Sequence, residues 1–206
     1  MTLPIFKNFT TVEEALERKA EVDAYMPELL SIDLDVWNSV KVLHDTPEVW
    51  RLWLQLGEIR LNLHYILNCD DPFMHFHPWP SLVECVQGGY LHTTAACNGE
   101  LSSVIKAAEE GRIEAFAEKL TKTTASVVPG SFYVMTDPRQ AHSVHVLPGA
   151  GANSSIMLTG LPYFEKASRL LSRKPPVANP ELEWHEKATV INPIRKKWGM
   201  TGVLPY

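Results

Sequence analysis

The run Met74-His75-Phe76-His77-Pro78-Trp79-Pro80 holds the residues best suited to chemistry. Two histidines two positions apart on a strand project to the same face, so both imidazoles can reach one metal ion. The alternative is a pair of solvent-facing histidines on a polar strand. Further on, residues 130–144 read as a strand, a turn at Asp137-Pro138, and His142 opening the next strand. Upstream, residues 58–65 alternate with period two: Arg60, Asn62 and His64 share one face, while Leu61, Leu63 and Tyr65 share the other. A closed barrel has an inner and an outer face. If the polar face turns inward, Arg60 can hold a substrate carboxylate through a bidentate contact, and His64 lies beside the metal. If it does not, that face meets solvent or the N-terminal helices.

The remaining candidates read as structural. His145 lies three residues past His142, so strand geometry turns it outward. His92 reads as rim or surface, and His44 and His185 fall outside the barrel. Cys85 alternates with Glu84 and should point away from the site as an inert packed thiol. No nucleophile elbow, phosphate-cradling glycine loop or Ser/His/Asp arrangement is found.

The elements that must position these residues come in three blocks. Residues 1–56 read as an N-terminal helical extension. Its first helix is capped by Thr10 or Thr11 with Glu13 and Glu14 in the first turn, and Val12, Ala15, Leu16, Ala20 and Tyr25 form a stripe from which Val22 strays. A second helical stretch is expected over residues 36–56, broken at Pro47, with Trp37, Val40, Leu43, Trp50, Trp53 and Leu54 as a packing stripe. Residues 57–162 read as the barrel, from short β-like runs at 82–86, 90–94, 125–128, 132–135, 143–147 and 155–159. Gly88-Gly89, Pro129-Gly130, Pro138 and residues 148–151 punctuate them. A helical insertion at 98–122, divided by Gly111, breaks the series; it reads as dispensable to the barrel. Residues 163–206, rich in proline, read as an extended tail packed over the body.

Composition narrows the function. The 206 residues suit one domain with appendages, and 45% hydrophobic with 21% charged residues is enough to bury a real core. A net charge of −5 argues against nucleic acid as a main partner, and the short basic run Arg195-Lys196-Lys197 reads as a solvated segment. Three cysteines, Cys69, Cys85 and Cys97, follow no disulfide or CxxC spacing, which points to a reducing compartment. No stretch approaches the roughly 20 apolar residues of a membrane helix, and residues 1–10 do not read as a signal peptide. The expectation is a cytoplasmic protein with a small-molecule substrate and a homodimer as the possible assembly.

The pairing of HxH and a later glycine with a downstream Gly, Pro and single His resembles the two motifs of the cupin superfamily, whose fold is a double-stranded β-helix, or jelly-roll barrel. The resemblance implies His75, His77 and His142 as metal ligands, with Gly89 closing the first motif. The family's glutamate position falls on Leu82, which cannot bind metal. Glu84, two residues later, is then either a ligand brought in by a bulge or a neighbouring acid/base group of a three-histidine site, the reading favoured here. A three-histidine cupin site is similar to that of the thiol dioxygenases of the cysteine dioxygenase type, although their characteristic tyrosine has no counterpart in residues 155–159. Little-characterised bacterial and phage cupins share a run similar to Leu61–His64, Asp70-Asp71-Pro72, His75–Trp79, Gly88-Gly89-Tyr90 and the pair Trp198-Gly199.

These resemblances imply a metal-dependent enzyme. The favoured form is a non-haem Fe(II) oxygenase acting on a small, acidic organic substrate. Glu84 and His64 would be its proton-moving groups, and Arg60, Asn62 and Trp79 its substrate contacts. Zn, Ni, Mn or Cu would suit the same ligands. The alternatives are a metal-dependent lyase, isomerase or hydrolase on the same scaffold, and a metal-binding cupin without catalysis.

Overall fold

The computed structural model describes residues 2–43, 48–67, 73–146, 149, 151–171, 180–202 and 204. His44, Pro47, Cys69, the Asp70-Asp71-Pro72 stretch and Pro175-Pro176 lie outside the described residues. The chain opens with α1 (Val12–Leu29), whose N-terminus is a capping box: Thr11 accepts from the Glu14 backbone amide at 3.2 Å and the Glu14 carboxylate reaches back to the Thr11 amide. The buried stripe of α1 is Ala15, Val22, Met26 and Leu29, while Val12, Leu16 and Tyr25 are exposed. Val22, read from the sequence as the stray, is therefore at the centre of the packed face.

Of residues 36–56, those described beyond Val36 form no helix. A single 3-10 turn (Leu34–Val36) leads into β1 (Asn38–Leu43) and β2 (Glu48–Leu56). The helical spacing of Trp50, Trp53 and Leu54 coincides with a period-two pattern in which Leu52, Leu54 and Leu56 are buried on one face. Valine and tryptophan favour the strand, and the long partner β3 (Ile59–Ile66) pairs with β2 from Leu56↔Ile59 to Val49↔Ile66. The β structure thus begins about 20 residues before the expected boundary.

Then follow β4 (His75–Phe76), β5 (Ser81–Gln87), β6 (Tyr90–Ala96), α2 (Leu101–Glu109), α3 (Ile113–Glu118), β7 (Lys122–Val127), β8 (Phe132–Met135), β9 (Gln140–Val146), β10 (Asn153–Thr159), α4 (Ala167–Leu170) and α5 (Trp184–Lys197). Two antiparallel sheets result: a six-stranded one in the order β1-β2-β3-β10-β5-β8 and a four-stranded one in the order β4-β9-β6-β7. They are not joined edge to edge among the described residues. Ile66, Cys85 and Tyr133 of the first sheet pack with Tyr90, Val127, Val144 and Val146 of the second, so the two sheets face each other. Gly88 carries the crossing from β5 to β6 at φ +80°. A side chain there would collide with Asn153, whose Oδ1 takes the Gly89 amide.

The other face of the six-stranded sheet carries the main apolar core. Leu52, Leu54, Leu61, Leu63, Leu82, Ile156 and Leu158 pack there with Met26 and Leu29 of α1 and Val190, Ile191 and Ile194 of α5. Each such fully buried side chain contributes about 1.5–3 kcal/mol. The C-terminal region is therefore not only an extended tail: α5 is a core helix, closed at its start by Glu183 and Glu186. Its basic run is also structural, since Arg195 Nη1 donates to the Leu30 carbonyl at the end of α1 at 2.7 Å.

Helices α2 and α3, split at Gly111 (φ +68°) as the sequence suggests, lie behind the histidine-bearing sheet. Val104 and Ala117 join Met74, Phe76 and Ala141 in a second core, and the Met74 amide donates to Glu118 at 3.1 Å. The insertion packs directly against β4, and the expectation that it can be shortened must be tested against that packing.

Candidate metal centre

β4 pairs with β9 in the register His75↔His142, which sets two imidazoles side by side; His77 follows just past the end of β4. One ligand nitrogen from each of His75, His77 and His142 lies within 4.8 Å of the others. The Nε2 atoms of His77 and His142 are 2.7 Å apart. Two nitrogens at right angles on one ion, with bonds near 2.1 Å, stand roughly 3 Å apart. The donor set therefore fits a divalent metal.

The surroundings fix which nitrogen each ring offers. His75 Nδ1 lies 3.2 Å from the Phe73 carbonyl, so it carries the proton and the ligating lone pair falls on Nε2. His142 Nδ1 lies 2.9 Å from His92 Nε2, which leaves His142 Nε2 facing His77. Burial, reinforced by neighbouring imidazoles, holds His77 and His142 well below the ordinary histidine range. Both are neutral near pH 7, as ligation requires.

His92 is a residue the sequence reading placed at the rim. It is buried, stacks on Tyr133 with ring centroids 3.8 Å apart, and contacts His142 directly. Burial depresses its pKa to about 4. Its signal was available in the alternation of β6, where His92 shares a face with Tyr90, but no motif singles it out. His145 does lie on the opposite face of β9 from His142, opposite Leu91, as strand alternation predicts.

The polar face of β3 points between the sheets. Asn62 and His64 are buried, and Asn62 Nδ2 donates to the Met157 carbonyl at 3.2 Å. His64 feels His77 electrostatically, and its Nε2 is sealed from solvent without a partner among the described residues. Arg60 sits at the exposed end of this face, its guanidinium 5.8 Å from the Trp53 ring centroid. Trp79 packs edge-on against His77 at 6.1 Å, with its indole N–H buried and unpartnered among the described residues.

Glu84 is elsewhere. It shares a strand face with Leu82 and points to the helices, where Lys19 of α1 (3.0 Å) and Lys197 of α5 (2.5 Å) hold its carboxylate. The side chains of β5 that face the other sheet are those of the opposite parity, Cys85 among them. The expected alternation is thus correct and its phase reversed: Leu82 belongs to the core, which places Glu84 on the core side too. Glu84 is neither a ligand nor a neighbour of the three histidines. Cys85 is buried, and desolvation pushes its thiol up to about 11, so it stays protonated.

β2 adds a residue that the sequence reading did not single out. Arg51 stands opposite His64 in the β2–β3 register, and its charge is felt by His64 and His77. The helical reading of residues 36–56 concealed it, because only a strand puts Arg51 beside His64.

No protein-family model matches the chain, and no curated protein matches it. Similar solved structures include Fe(II) HppE, at 12% identity and a TM-score of 0.44 over 62% of this chain and 58% of that one. Another is hydroxypropylphosphonic acid epoxidase from S. wedmorenis, at 13% identity and a TM-score of 0.40 over 62% and 57%. The chain spans under two thirds of the length of these neighbours. Likeness this distant leaves the site to be read from its own geometry.

Proposed function

We propose that the chain is a cupin-type, metal-dependent enzyme that holds one divalent ion on His75, His77 and His142, with Fe(II) as the favoured metal and a small acidic organic molecule as substrate. The observation that carries this reading is the convergence of three imidazoles on one point, two of them, His77 and His142, held neutral by burial. Bound there, Fe(II) would supply the one-electron chemistry that activates O2, with coordination positions left for small molecules.

The chain's own residues do the rest. His75 is oriented by the Phe73 carbonyl and His142 by His92, so the ligand nitrogens are set before any metal arrives. His64, buried beside His77 with a free ring nitrogen, is the group placed to hold or move a proton. Asn62, on the same strand face as His64, and Trp79, against His77, are the substrate contacts, and Arg60 at the exposed end of that face is placed to meet an acidic substrate. Glu84 takes no part, being committed to two lysines on the far side of the sheet.

The test is metal analysis of protein purified without a histidine tag, joined to a substrate screen in air and under nitrogen. One ion per chain, lost in His142→Ala, with O2 consumed on turnover, is the expected result. Turnover without O2 uptake would replace the oxygenase by a lyase, isomerase or hydrolase. Full metal occupancy in His142→Ala would overturn the site.

A further inference from the structure

Arg51 has no structural task that accounts for it. Its Nε is sealed from solvent and finds no acceptor among the described residues. The charged or titratable groups that sense it are Arg60, His64 and His77, none of them an acid. Burial and the Arg60 charge lower its pKa to about 10, so the guanidinium remains cationic near pH 7. Glu84, an acid on the same sheet, is turned to the opposite face and already neutralised. A guanidinium partly withdrawn from water with no counter-charge among the described residues is costly, and persists where a ligand supplies the charge.

The neighbourhood is missing acceptors in the same way. Trp79 Nε1, beside His77, and His64 Nε2, opposite Arg51, are likewise buried without a partner among the described residues. Buried polar atoms of this kind are rare in finished interiors. Together they set buried donors and one fixed positive charge beside the histidine cluster.

We infer that Arg51 is the inner anchor for the carboxylate of a small organic acid, with Arg60, over Trp53, at the exposed end of the same sheet face. The planar fork of a guanidinium matches a carboxylate with two parallel hydrogen bonds, which favours that group over a tetrahedral anion. Arg60, more exposed, draws the anion in and adds specificity at the outer end. This assignment deepens the metal-site reading by naming the acid-binding residue, and it is tested separately from that reading.

The experiment is calorimetric titration of acetate, succinate and inorganic phosphate into the full chain at constant ionic strength, in zinc-loaded and in metal-free protein. Saturable binding of a carboxylate to the wild type is expected, with phosphate weaker. Arg51→Met should weaken it about tenfold or more while zinc stays at the wild-type stoichiometry. Arg51→Lys keeps the charge and loses the fork, and should fall in between; it decides the matter if the Met variant does not fold. Carboxylate binding undiminished in the variants, absent from the wild type in both metal states, or weaker than phosphate binding would overturn the inference. Failure of the wild type to take up zinc would count against the histidine site alone, since the metal-free titration still reads Arg51.

Discussion

The two faces of the six-stranded sheet bury charge in opposite ways. Towards α1 and α5, each described buried charge has partners: Glu84 takes Lys19 and Lys197, Glu186 takes Lys41, and Lys187 donates to the Leu34 and Trp37 carbonyls at 3.2 and 3.1 Å. Towards the four-stranded sheet, the Arg51 guanidinium has neither a hydrogen bond nor an ion pair among the described residues, and His64 Nε2 is unpartnered. On the helix side the Nε atoms of Arg18 and Arg195 are also unpartnered, but their Nη1 atoms hold Glu21 and the Leu30 carbonyl. A satisfied charge is explained by folding; an unsatisfied one, set beside three converging imidazoles, needs a ligand. One sheet therefore separates the protein's stability from its chemistry, residue by residue along β3.

That separation makes Leu63 and His64 the sharpest neighbours to compare. Leu63 is fully buried in the helix-side core. Leu63→Ala should cost about 3 kcal/mol, read as a lowered urea midpoint, while the folded protein binds metal at unchanged stoichiometry. Metal loss in proportion to the lost stability, at temperatures where the chain is still folded, would break the division between faces.

Much of this was legible beforehand, for a simple reason. The pairs His75/His77 and Arg60/Asn62/His64 rest on period-two alternation, which survives any error in where a strand begins. The phase of β5 did not, because its residues from Leu82 to Val86 are nearly all buried and alternation carries no signal when both faces are covered. Glu84 was misplaced on that account. Arg51 was missed for a different reason: in β2 the tryptophans satisfy helical and strand spacing together, and only pairing with β3 decides between them. The helix α5 was hidden by Pro193, which sits inside it.

A smaller effect probes the inner face without touching a ligand. His92→Phe keeps a ring to stack on Tyr133 but removes the contact with His142 Nδ1. Metal affinity should fall about 10- to 100-fold, with the thermal midpoint of the metal-free protein nearly unchanged. His92→Gln, which can still offer an acceptor, should recover part of the loss. An equal fall in both variants, accompanied by a lowered midpoint, would make His92 a packing residue like those across the sheet.

The smallest effect belongs to the helix side and has a pH signature. Burial pushes the Glu84 carboxyl up, but hydrogen bonds and charge from Lys197 and Lys19 outweigh it and hold it below the ordinary carboxylate range. A carboxyl whose pKa is lowered by folding stabilises the protein above its unfolded value of about 4.3, and that contribution disappears as pH falls through the folded value. Glu84→Gln should therefore cost about 1 kcal/mol at pH 7, discounted for the solvent that reaches the lysine ends. The difference from wild type should shrink below about pH 4 and close in stronger acid. Urea midpoints of metal-free protein at pH 7 and pH 3 make the comparison, and zinc content at pH 7 accompanies them. Unchanged zinc with a cost that fades in acid keeps Glu84 on the structural face. Zinc loss comparable to that of a ligand histidine would bring the carboxylate back to the metal and erase the difference between the two faces.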